Sequence, residues 1–72
     1  MAKPVAPGST ESTAAELAAI GDNVAQYRGR VADLAEPYIG TERDDVATAI
    51  HEAERQLRIA ERTITRALRV LD

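Results

Sequence analysis

The chain has 72 residues and a formal net charge of −3, with 9 Lys and Arg against 12 Asp and Glu, a single histidine, and no cysteine, tryptophan or phenylalanine. One domain at most fits this length, and a chain this short buries only about 60% of the surface its unfolded form exposes. The composition excludes a disulfide, a thiolate zinc site and a histidine-built metal centre; no stretch approaches the ~20 apolar residues that span a bilayer and the start lacks a signal-peptide run, so the chain reads as cytoplasmic.

Residues 1–9 hold Pro4, Pro7 and Gly8 without periodicity and read as a disordered tail. The polar run Ser9, Thr10, Ser12 and Thr13 supplies N-caps, and Thr13 with Glu16 has capping-box form. A first helix is predicted over about 10–36. Pro37 ends it, because the residue before a proline avoids the helical region. Along this helix Leu17, Ile20, Val24, Tyr27, Val31, Leu34 and Tyr38 recur at steps of three and four, which lays them along one stripe.

A turn follows over 37–41. Gly40 is suited to positive φ, Thr41 to a second cap, and Tyr38 and Ile39 to a lid over the hairpin end. A second helix is predicted over about 42–71, uninterrupted by Gly or Pro, with Glu42 and Asp44 at its positive end and Arg62, Arg66 and Arg69 near its negative end. Val46, Ile50, Ala53, Leu57, Ala60, Ile64, Ala67 and Leu71 form its heptad ladder. Ala47, Leu68 and Val70 fall outside that ladder.

Two ladders across a short turn specify an all-α, antiparallel two-helix hairpin of coiled-coil character. With the turn near Ile39, Leu17 is expected beside Ala60 and Ile64, Ile20 beside Leu57, Val24 beside Ala53, and Tyr27 beside Ile50. The first helix also carries a second, small-residue strip: Ala14, Ala18, Gly21, Ala25, Ala32 and Ala35, interrupted by Arg28. Glycine inside a helix costs roughly 0.8–1 kcal/mol relative to alanine, so Gly21 marks a close backbone approach. Two helices cannot cover two apolar faces. The expectation is a homodimer forming a four-helix bundle, with Ala14, Ala18, Gly21, Ala25 and Ala32 as its self-association strip. The alternative is that good helix formers simply face water.

Arg55, Arg58, Arg62, Arg66 and Arg69 stay within a wedge of about 80° at helical spacing. Charge is segregated: 55–70 carry these arginines against Glu61 alone, whereas 1–54 carry ten acids against Lys3, Arg28, Arg30 and Arg43. The plainest account is a solvated face, with Glu54 pairing Arg58 and the arginine end lying beside Glu11, Glu16 and Asp22. Ile59 argues for more. It is an aliphatic knob on the outer face, ringed by arginine, of the kind an acidic protein partner grips.

The expectation is therefore a small non-catalytic interaction or adaptor module that presents Arg55, Arg58, Ile59, Arg62, Arg66 and Arg69 to an acidic protein. One alternative is nucleic-acid binding, since the architecture resembles the Rop-like plasmid copy-number regulators, dimers of helical hairpins that bind RNA. Another is a structural subunit of a larger assembly. No phosphate loop, no nucleophile beside a base, and no cofactor or metal motif stands out; His51 and the Glu42, Asp44, Asp45 group read as surface residues. Tyr38-Ile39-Gly40 resembles the Trp-x-Gly turn of small hairpins secreted by actinobacterial type VII systems, a resemblance of three residues from which no function is carried over. The alanine, arginine and aspartate bias points to a GC-rich bacterial source.

Overall fold

The computed structural model describes residues 9–71. They form α1 (Ser9–Ala35), a 3-10 turn (Glu36–Tyr38) and α2 (Asp44–Leu71). The two long helices pack on one another as an antiparallel hairpin 55 × 22 × 17 Å in extent. Apart from Ser9, the tail expected over 1–9 lies outside the described residues.

Local chemistry explains the bend. Pro37 cannot extend α1, and the chain tightens so that Ile39 N–H donates to Glu36 O at 3.3 Å. Gly40 follows at φ 73°, where a side chain would be strained. Thr41 then works in both directions: its hydroxyl donates to Tyr38 O at 2.7 Å and accepts from Arg43 N–H at 3.2 Å. Its carbonyl accepts from Asp44 N–H at 3.1 Å, so α2 starts at Asp44, two residues later than its sequence pattern suggests. Asp44 answers by accepting from Gly40 N–H at 3.2 Å. Tyr38 and Ile39 are exposed and form no lid.

The seam between the helices differs from the one the ladders predict. A Cβ placed on Gly21 would sit 3.2 Å from Ile64 Cγ2, so Gly21, and not Leu17, is level with Ile64. The connection runs to Arg43, which shifts the hairpin's centre along the chain by about one helical turn. The helix is also rotated. Of the strip expected to await a second copy, Ala14, Gly21, Ala25 and Ala32 are half-buried, Ala18 is exposed, and Ala35 is buried; Leu17, Val24 and Val31 of the predicted ladder are half-buried beside them.

Ile20, Tyr27 and Leu34, expected in the seam, are 46%, 56% and 63% exposed. The Tyr27 ring instead carries the Arg30 guanidinium 5.7 Å from its centroid. In α2, Ala47 is buried and Leu68 half-buried, whereas Val70 is 82% exposed. The physical reason is reach: a row of small side chains lets the large residues of α2 approach the α1 backbone closely. The cost is a thin core. Ala35 and Ala47 are the buried apolar residues among those described, and no large side chain is fully buried.

Candidate functional site

Arg55, Arg58, Arg62, Arg66 and Arg69 are all exposed, along the flank of α2 that their spacing predicts. A sixth arginine joins them from α1. Arg28 reaches across the seam and pairs its Nε with Glu61, while its Nη1 lies 3.6 Å from Glu54 Oε2. Arg58 Nη2 donates to the same Glu54 oxygen at 2.5 Å. Glu54 keeps only 13% side-chain exposure, so this charge is held by two guanidinium groups and not by water. The i,i+4 pairing of Glu54 with Arg58 is as the spacing predicts.

The rest of the rail is different. Among the described residues Arg62, Arg66 and Arg69 have no carboxylate within ion-pair distance, and Glu11, Glu16 and Asp22 form no ion pair with the rail. Arg55 is 3.6 Å from Glu52, an exposed pair of small energetic weight. A groove of about 660 Å³ runs along this flank, lined by Arg28, Arg58, Arg62, Arg66 and Arg69 with Thr65 and Glu61. Arg28, Arg58 and Glu61 are engaged in the network beneath it, which leaves three uncompensated guanidinium groups on three successive turns. Ile59 is 42% exposed and, like Arg55, does not line the groove.

Three groove residues escaped the sequence reasoning: Arg28, Glu61 and Thr65. A signal for two of them existed. Arg28 is the one break in the small-residue strip of α1, and Glu54 and Glu61 are seven residues apart, two turns on one face of α2. A long cation on one seam and two anions at matching spacing on the other make a cross-helix network readable in principle.

Other ionisable groups offer less. His51 is exposed, and no group of three or more His, Asp or Glu side chains converges as a metal site among the described residues. The Asp45 carboxyl is held below the usual carboxylate range, chiefly by its hydrogen bond from Arg43 and in smaller part by the backbone N–H groups of the first turn. No helix among the described residues is long and apolar enough to cross a membrane. Compared with protein-family models, curated proteins and solved structures, the chain matches none.

Proposed function

We propose that this hairpin is a non-catalytic interaction module that self-associates into a four-helix bundle and holds an acidic segment of a partner protein in its arginine groove. The observation that carries the reading is the set Arg62, Arg66 and Arg69, which lines a concave surface whose one lining carboxylate among the described residues, Glu61, is already taken by Arg28. Arginine forks bind carboxylates in bidentate geometry and are weakly hydrated, so an anionic side chain gains from leaving water for this groove. Glu61 and Glu54 hold Arg28 and Arg58 in place along its inner wall, which lowers the ordering cost of binding. Ile59, exposed on the outer face of α2 beyond the rail, offers the apolar contact that charge alone lacks.

The test is fluorescence anisotropy with a labelled glutamate-rich peptide and, in parallel, a single-stranded RNA oligonucleotide of equal charge. The peptide binds the native chain. Arg62→Glu with Arg66→Glu weakens it at least tenfold, and Ile59→Asp weakens it without loss of helical circular dichroism. RNA binding tighter than peptide binding, with a steep fall in affinity as salt rises, overturns the reading in favour of the Rop-like alternative.

A further inference from the structure

The flank of the hairpin opposite the arginine groove is an apolar face with no charge at its centre. Ile20, Tyr27 and Leu34 stand along α1 at seven-residue spacing, exposed despite their size. On α2, Ala53, Ala60 and Ala67 recur at the same spacing. Helical geometry puts both rows on one side of the hairpin: at about 100° per residue each row lies roughly 60–140° from the seam, on the side away from the arginines. Successive members of each row are two turns apart. A high ridge therefore runs beside a low one.

We infer that this face is the site of self-association and that its occupant is a second copy of the chain, related by a two-fold axis parallel to the helices, so that α1 of each copy lies over α2 of the other with both turns at the same end. The inference rests on the self-association reading above and names its surface and geometry. Three observations carry it. The first is shape. The register that sets Gly21 against Ile64 puts Ile20 at a level between Ala60 and Ala67, Tyr27 between Ala53 and Ala60, and Leu34 between Val46 and Ala53. Exchange of left and right by the two-fold axis drops each large side chain of one copy between two small ones of the other. An end-for-end arrangement would instead stack ridge on ridge over α1 and leave a gap over α2.

The second is charge. On the rim of the face, opposite signs lie near one another across the two copies: the same register puts Arg66 three residues, about 4.5 Å along the axis, from the level of Glu16, and Glu52 the same distance from the level of Arg30. Among the described residues neither Glu16 nor Arg30 has an ion-pair partner within its own chain. The third is size. The broad face of a hairpin 55 Å by 22 Å projects to about 1,200 Å², which exceeds the roughly 800 Å² per partner of a standard stable interface. It also completes the interior that a pair of buried alanines leaves unfinished.

Analytical ultracentrifugation of the native chain and its variants tests the inference. A dimer at micromolar concentration is expected, converted to monomer by Tyr27→Glu and unaffected by Ala18→Glu on the opposite flank. Arg30→Glu weakens the dimer at least tenfold, and adding Glu52→Arg to the same chain restores it, a rescue that a folding defect in Tyr27→Glu cannot mimic. A monomeric native chain overturns both self-association and this face. A dimer lost in Ala18→Glu but kept in Tyr27→Glu leaves self-association standing and overturns the face, and failure of Glu52→Arg to rescue overturns the proposed arrangement.

Discussion

Gly21 of α1 lies against Ile64 of α2 so closely that a Cβ on the glycine would meet Ile64 Cγ2 at 3.2 Å. Gly29, two turns further on, has nothing within 4 Å of the same position. The two glycines therefore answer differently to one substitution. Gly29→Ala gains the full helix-propensity term, about 0.8–1 kcal/mol. Gly21→Ala gains less because Ile64 must give way, and Gly21→Val costs about 1–3 kcal/mol by overpacking the seam. Urea denaturation of the three variants at one protein concentration ranks them; equal gains for both alanines would show that the seam is looser than this contact implies.

Arg28 is the only charged side chain that ties the two helices together among the described residues. Its removal in Arg28→Met leaves half-buried Glu61 without an ion-pair partner among the described residues and Glu54 with Arg58 alone. A loss of about 2 kcal/mol is expected, or a fall in Tm on the order of 10 °C at fixed concentration. Adding Glu54→Gln and Glu61→Gln recovers most of it, since an unpaired buried charge costs more than a neutral replacement of the whole network. No recovery would place the loss in the packing of the arginine stem.

The turn depends on Thr41 and Gly40. Thr41→Ala removes the acceptor for Arg43 N–H and the donor to Tyr38 O, and costs about 1 kcal/mol, whereas Thr41→Ser keeps both bonds. Gly40→Ala is destabilising by a similar amount, about 1 kcal/mol, because φ is 73° there. Thermal unfolding followed by circular dichroism reads both.

Asp45 titrates below the ordinary carboxylate value because Arg43 donates to it at 3.1 Å. A carboxyl whose folded pKa is depressed stabilises the fold above its unfolded value and loses that contribution as pH falls through the folded one. NMR titration of the Asp45 carboxyl carbon is expected to show the depressed midpoint. Arg43→Ala moves it toward the ordinary value, and an unmoved midpoint would assign the depression to the first-turn N–H groups alone.

Much of this arrangement is legible in local chemistry. Pro37, Gly40 and Thr41 are stereochemical commands that act within three or four residues, so the bend falls where they stand. The azimuth of Arg55, Arg58, Arg62, Arg66 and Arg69 follows from helical pitch, and so does the exposure of Ile59. The groove was not legible as a groove. It needs Arg28 from the other helix, and the inner wall exists only once Glu54 and Glu61 have captured that side chain.

Residue order thus settles two helices, their fold-back and the side of α2 that bears cationic charge, because each depends on neighbours a turn or two away; the Thr13–Glu16 pair it offers as a capping box lies inside α1, which begins at Ser9. Which stripe of α1 meets α2 is a different kind of question. The large row and the small row are both regular, and hydrophobic periodicity accommodates either. The seam takes a strip between them, Leu17, Val24 and Val31 of the large row with Gly21, Ala25 and Ala32 of the small one, because backbone approach at Gly21, the filling of that space by Ile64 and the pairing of Arg28 with Glu54 and Glu61 must all be satisfied at one rotation and one register. Those energies belong to pairs of residues more than thirty positions apart, and they come into being only when the two helices are in contact.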